Sequence, residues 1–251
     1  MAIVVTEKMA TWLAEPLSGF LLINKPVGQP SFQTVTVLRK LTGQQKIGFA
    51  GTLDPQATGL LIVGFNKATK LLDQWHQFPK TYEAEITLGK VSTTYDSEGK
   101  ITPSGSPLRP SSAQALKRRR VGTAEIENAL LKFTGRIEQL PPMYSAKKVQ
   151  GVRLYELARR GQEVERSKQS VTIHKLEILG YEYPSLKLRI KCSTGTYIRS
   201  LAHDLGQALG CGAYLSRLER TAIGPLTIKK AVRLQQLTAK NWTSYLRRHF
   251  I

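Results

Sequence analysis

Two stretches of strict period-two alternation, far apart in the chain, constrain the fold most. From Tyr82 to Leu88 the residues Tyr82, Ala84, Ile86 and Leu88 share one face while Glu83, Glu85 and Thr87 share the other. From Leu186 to Cys192, Leu186, Leu188, Ile190 and Cys192 alternate with Lys187, Arg189 and Lys191. Successive side chains of a strand point to opposite faces, so each stretch reads as a strand with one buried and one wet face. Val171 to Tyr183 reads as the partner of the second, with Pro184 in the turn between them. The strongest helix follows over Thr196 to Leu209, where Ile198, Leu201, Ala202, Leu205, Ala208 and Leu209 trace one apolar stripe before Gly210. Arg199 and His203 fall off that stripe.

The remaining elements are shorter. Phe20 to Ile23 reads as a buried strand running into the turn Asn24-Lys25-Pro26-Val27-Gly28. Ser31 is expected to cap a helix through about Leu41, with Val35 and Leu38 inside and Gly43 as its left-handed stop. Leu60 to Phe65 reads as a buried strand, and Asn66 as the cap of a helix carrying Ala68, Leu71, Leu72 and Trp75. Thr102 to Gly122 reads as a mobile basic loop ending in Lys117-Arg118-Arg119-Arg120. Thr123 opens a helix with Ile126, Leu130 and Phe133 inside, and a short helix near Leu154 to Arg160 stops at Gly161. Strands separated by unequal helices and long connections predict an α+β fold around a mixed, mainly antiparallel sheet with flanking helices.

Charge limits the partner. Lys and Arg number 37 against 18 Asp and Glu, a formal charge of +19 over 251 residues. Such an excess points to a polyanion. No apolar run approaches the roughly 18 residues of a spanning helix, and the start of the chain is interrupted by Glu7, Lys8 and Glu15, so nucleic acid is preferred to membrane and a cytoplasmic location is expected. Cys192 and Cys211 form no C-x-x-C pair, and the histidines at 76, 174, 203 and 249 lack metal-ligand spacing, so neither a metal nor an organic cofactor is expected.

The densest local signal is the run from Gly48 to Gly59, in which glycines and Pro55 force an irregular path around one carboxylate, Asp54. Read alone, Asp54 fits either a turn aspartate bonded to nearby amides or a catalytic carboxylate.

That loop, with its G-T-L-D-P-x-A-T-G string, resembles the catalytic motif of the tRNA pseudouridine synthases of the bacterial uridine-55 type. Leu21-Leu22-Ile23-Asn24-Lys25-Pro26 is similar to that family's opening strand and turn, and Lys80-Thr81-Tyr82 to its stacking-tyrosine motif. Pro142-Met143-Tyr144-Ser145-Ala146-Lys147-Lys148, with Gly151 and Leu154-Tyr155, is similar to the segment that contacts the T arm. Gly195 to Leu201, followed by Asp204-Leu205-Gly206, is similar to the arginine motif. The ribosomal-RNA synthases usually read R-L-D followed by x-x-T-S-G, whereas Thr58 here stands one residue further from the aspartate.

The resemblance implies isomerisation of the T-loop uridine without a cofactor, on tRNA, by a monomer with no obligatory protein partner. It implies Asp54, Tyr82 and Arg199 as catalytic, with Tyr82 as the platform for a flipped base and Arg199 as the cation that keeps Asp54 ionised. Asp54 serves as nucleophile or as base at the ribose, and both routes stay open. Lys25, Phe49, Asp96, Tyr144, Lys147 and Leu218 are implied as substrate-binding, with Asp96 holding Arg199 or the backbone of the site and Leu218 as an apolar wall. A catalytically silent RNA-binding or RNA-folding protein, or the same chemistry on another RNA, are the rival readings.

The chain departs from the pattern at Phe49, where bacterial members usually carry histidine; an aromatic ring there is expected to face the RNA. The resemblance covers about Gly19 to Leu237, so the expected organisation is an extension over 1–18, a catalytic domain over 19–237 and a basic tail over 238–251. This is a short form without the extra C-terminal RNA-binding domain, in which Lys117 to Arg120 and Arg247-Arg248 supply phosphate contacts.

Overall fold

A computed structural model describes residues 17–104, 120–145, 147–149 and 151–248. Residues 1–16 of the expected extension, Lys117 to Arg119 of the basic run, Ala146 and His249 lie outside the described residues. The chain divides into two compact units, one formed by 1–55, 59–76 and 228–251, the other by 56–58 and 77–227. The first therefore takes in the stretch expected as a tail.

In the first unit, β1 (Gly19–Lys25) lies antiparallel to β3 (Thr58–Phe65), and β2 (Ile47–Ala50) pairs antiparallel with the same strand. The short strand over Val232–Arg233 joins β1 in parallel. Helix α1 (Ser31–Thr42) buries Val35 and Leu38 and ends at Gly43, whose φ of 70° is the left-handed stop expected. Its start differs from expectation. Pro30 occupies the cap position and Ser31 is the first residue inside, with its hydroxyl drawn elsewhere. The core gathers Leu21, Ile23, Val35, Leu38, Leu61, Val63 and Phe65, and the ring of Trp242 stacks on Phe65 at 5.2 Å. The helix expected from Asn66 is instead a 3-10 stretch, Asn66–His76. Asn66 has φ 51° and turns its amide to the Leu17 carbonyl rather than to the helix amides, and Leu71 is exposed.

The second unit is built on β4 (Lys80–Leu88). The hairpin β5 (Lys90–Ser92) and β6 (Ile101–Pro103) follows, then α2 (Thr123–Leu131), with Phe133 beyond its end, and β7 (Gly135–Gln139). A second hairpin, β8 (Lys148–Val149) and β9 (Val152–Arg153), leads to α3 (Leu154–Arg159). Next come β10 (Gln169–Glu182), β11 (Ser185–Cys192), α4 (Ile198–Ala208), β12 (Ala213–Ile223) and β13 (Leu226–Thr227). The strand order is β12-β4-β11-β10-β7, antiparallel throughout, with β13 on β12. The two alternating stretches are thus neighbours, Ile86 opposite Leu186 and Tyr82 opposite Ile190. Their inner residues Ala84, Ile86, Leu88, Leu186, Leu188 and Ile190 are all buried. Helix α4 runs against the start of β12 so closely that a Cβ on Gly206 would meet the Ala213 nitrogen at 2.1 Å, which only glycine avoids.

Candidate active site

Asp54 sits half-buried in the connection after β2, and the residues on either side of it are fixed. The Ser31 hydroxyl donates to the Leu53 carbonyl at 3.0 Å and accepts from the Leu53 amide at 2.9 Å. On the other side, the Pro55 carbonyl accepts from the Gly28 amide at 2.8 Å and from Lys25 Nζ at 3.2 Å. Lys25, expected at the RNA, is fully buried, with its ammonium also donating to the carbonyls of Pro26 at 2.9 Å and Gln29 at 2.6 Å. An ammonium removed from water requires such acceptors. The resemblance implies Lys25 as substrate-binding; its bonds to the Pro26, Gln29 and Pro55 carbonyls make it a brace for the loop. A carboxylate between two immobilised neighbours loses little conformational freedom when substrate arrives.

Phe49 lies on β2 opposite Val63, half-buried and packed against the core of the first unit. The ring therefore has a packing role, the alternative to the RNA-facing role expected for it. Gln56–Thr58, which follow Pro55, group with the second unit. There Thr58 donates to the carbonyl of Leu218, a buried residue of β12 opposite Ala84.

In the second unit Arg199 stands in the first turn of α4, yet it is 5% exposed, contrary to its reading as off the buried stripe. Its Nη1 pairs with Asp96 Oδ2 at 3.3 Å and reaches the Thr94 carbonyl at 3.5 Å, while Nη2 donates to the Tyr144 carbonyl at 2.8 Å. Asp96 is likewise buried, and its Oδ1 accepts from the Thr94 hydroxyl and from the Glu98 amide. Of the two expectations for Asp96, the structure shows the ion pair with Arg199. A cation at a helix N-terminus opposes the helix dipole, and the carboxylate offsets both that and the loss of water. Gln139, fully buried, fixes the start of the helix by donating to the Tyr197 carbonyl and accepting from its amide. Tyr144 contributes its backbone here, and its side chain is 40% exposed. Lys147 Nζ reaches Gln169 Oε1 at 3.3 Å.

Tyr82 is half-buried on β4, on the face shared with Lys80 and Ala84, and opposite Arg220 of β12. Arg220 was not anticipated. It is 1% exposed, and its guanidinium is hydrogen-bonded to Tyr82; burial pushes it below its ordinary value while the tyrosine pulls it back up. Lys80 was quoted only as part of a motif, yet burial first and Arg220 second push its ammonium down to about 8. Burial pushes the neighbouring Cys192 thiol up to about 11, so it is an inert packed thiol. The signal that locates Arg220 is its register: on β12 it falls on the phase that faces Tyr82. Among the described residues no three His, Cys, Asp or Glu side chains gather as metal ligands, and no helix is long and apolar enough to cross a membrane.

Residues 39–198 match the N-terminal domain model of the TruB family pseudouridylate synthases, and residues 199–251 match a tRNA pseudouridylate synthase B C-terminal domain. The stretch expected as a basic tail lies inside that second match. The chain is 50% identical over 218 residues to the tRNA pseudouridine synthase B of Protochlamydia amoebophila, covering 86% of this chain and 78% of that one. It is 46% identical over 223 residues to the protein of the same name from Dehalococcoides mccartyi, covering 89% and 71%. Among solved structures it resembles a chain in a crystal structure of a Cbf5-Nop10-Gar1 complex, with TM-score 0.66 and 28% identity over 87% of this chain. It also resembles one in an H/ACA RNP bound to a substrate RNA containing 2′-deoxyuridine, with TM-score 0.64 and 25% identity over 90% of this chain. It spans 53% and 55% of those two chains. With a family model over most of its length and relatives at this identity, the chain belongs to the TruB family of pseudouridylate synthases.

Proposed function

We propose that this chain isomerises the T-loop uridine of tRNA, position 55, to pseudouridine, with Asp54 as the catalytic carboxylate. The observation that carries the reading is the Asp54 loop, in which the G-T-L-D-P-x-A-T-G string folds into a carboxylate held between two pinned residues. Support for tRNA comes from relatives named tRNA pseudouridine synthase B at 42–50% identity. The chain of the H/ACA RNP similar in fold stands at 25%, which favours free tRNA as the substrate. The charge of +19 suits a polyanion whose phosphates dominate affinity.

The N1–C1′ bond of uridine breaks, the C5–C1′ bond forms, N1 takes a proton and the hydrogen at C5 leaves. No electrons are exchanged with a partner. The base must first leave its stack, and Tyr82, anchored by Arg220, offers a ring face for it. Arg199, fixed by Asp96, Thr94 and Tyr144, supplies an oriented positive charge that favours the ionised carboxylate. Asp54 acts as nucleophile or as base at the ribose. Tyr144, Lys147 and Leu218 serve as substrate contacts, the enzyme works as a cytoplasmic monomer without an obligatory protein partner, and it needs neither metal nor organic cofactor.

Tritium release from T-arm RNA carrying 5-tritiated uridine, run in excess EDTA, tests this reading. Stoichiometric release with pseudouridine in the product is expected. Tight RNA binding without release would make the chain a silent RNA-binding protein instead.

A further inference from the structure

Arg199 takes two acceptors from residues on either side of Tyr95: the Thr94 carbonyl and the Asp96 carboxylate. Tyr95 lies between them with φ 66°, in the left-handed region. For a residue with a Cβ this conformation is unfavourable and persists only where the surroundings impose it. Backbone bonds and a ring stack hold it: the Tyr95 amide donates to the Ser92 carbonyl at 3.2 Å. The Leu215 amide donates to the Tyr95 carbonyl at 2.9 Å, and Asp96 bridges to Leu215 of β12. The Tyr95 ring stacks on His203 with centroids 3.9 Å apart and planes at 15°.

His203 stands four residues beyond Arg199 on α4, one turn along the same helix. One rigid element therefore carries both the guanidinium and the ring against which the segment supplying its acceptors is stacked. Nδ1 of His203 is buried without a hydrogen-bond partner. An unsatisfied buried nitrogen calls for an explanation, and no polar contact of that atom provides one. Burial pushes the imidazole below its ordinary value, so the stacked ring is neutral at neutral pH. A flat neutral ring against Tyr95 is what the geometry uses.

We propose that Tyr95 and His203 are positioning residues for the reaction: their ring stack holds the left-handed turn at Tyr95, which aims Thr94 and Asp96 at Arg199. This rests on the reading in which Arg199 serves the isomerisation. Neither residue touches the reacting atoms, so their loss acts on the chemical step through Arg199 and leaves RNA affinity alone.

The test compares single-turnover tritium release, tRNA affinity by filter binding and thermal unfolding across a small set of variants. His203→Ala is expected to slow release by about ten-fold or more with affinity within about two-fold, while His203→Phe, which keeps an aromatic plane, stays within about three-fold of wild type. Tyr95→Gly relieves the strain but lacks the ring, so it should be slow as well, and it serves as the second variant where His203→Ala folds poorly. In an Arg199→Lys background, His203→Ala should add less than about two-fold. Wild-type rates for His203→Ala and Tyr95→Gly beside a slow Arg199→Lys would overturn the stack's role alone. So would equal losses in both backgrounds, or a His203→Phe as slow as His203→Ala. An Arg199→Lys as fast as wild type would overturn the role of Arg199 itself, and the stack's with it.

Discussion

The two regions at the centre of the proposed chemistry are fixed by different partners. Asp54 is fixed through its neighbours: Leu53 and Pro55 are pinned by Ser31, Gly28 and Lys25 across 22 to 30 residues of chain. Arg199 is fixed through its own charged end, by a buried carboxylate and two carbonyls reached across 55 to 105 residues. The difference teaches that the backbone bonds on either side of Asp54 do not depend on which side chain stands at 54, whereas the bonds that place Arg199 end on the guanidinium itself, so removing Asp96 takes a carboxylate from a buried cation.

The largest expected effect is at Asp54. Asp54→Asn should lower single-turnover release by at least about four decades, roughly 5 kcal/mol of transition-state stabilisation, with RNA affinity within several-fold. Near wild-type turnover would remove Asp54 from the chemistry. Asp96→Ala, by contrast, should lose both activity and about 3–5 kcal/mol of stability, since it strands the Arg199 charge at 5% exposure. A denaturant midpoint matching wild type would erase the contrast between the two regions. Ser31→Ala removes two neutral hydrogen bonds and should cost about 2 kcal/mol while slowing release less than Asp54→Asn.

Phe49→Ala sharpens the same comparison within the first unit. The ring is half-buried against the core, so about 1–2 kcal/mol of stability should be lost, below the cost of truncating a fully buried phenylalanine. If melting is instead unchanged while release on structured T-arm RNA slows, and Phe49→His restores it, the ring faces RNA as first expected. The smallest effect is one of pH. Lys80 has a folded value of about 8 against an ordinary 10.5, so between those limits the unfolded chain binds more protons and wild-type stability rises with pH. The stability gap between Lys80→Met and wild type should therefore narrow from pH 8 to 10.5 in chemical denaturation, and a constant gap would show that Lys80 is solvated.

The parts that could be read from sequence are those governed by periodicity and turn chemistry. The alternation of β4 and β11 and the stripe of α4 depend on local rules, and they stand where those rules put them, whereas the run from Gly48 to Gly59 opens inside β2 and closes inside β3. What escaped depends on partners distant in sequence. Helical spacing puts Arg199 off the apolar stripe, and its burial depends on Asp96, Thr94 and Tyr144, which that spacing does not relate to it. Ser31 read as a cap because only the fold brings Leu53 to its hydroxyl. Strand β12 was missed altogether, since register shifts between Leu215 and Arg217 and between Arg220 and Ala222 break its period and place Arg220 on the buried phase. Asn66 failed as a cap because a left-handed residue there starts a 3-10 stretch.

The chain that forms the first unit is interrupted: it opens with residues up to 76, resumes at 228, and closes its core only when Trp242 reaches Phe65. On the ribosome, where domains form in order of emergence, the second unit is wholly exposed to folding before that last segment exists. The Asp54 loop is thus among the first parts translated and among the last to gain a finished core beneath it. A premature stop ahead of Trp242 would release a product with every proposed catalytic residue present and the second unit complete, but with the unit that holds the aspartate left open to proteolysis. For this enzyme the segment that begins at 228 is a checkpoint on activity.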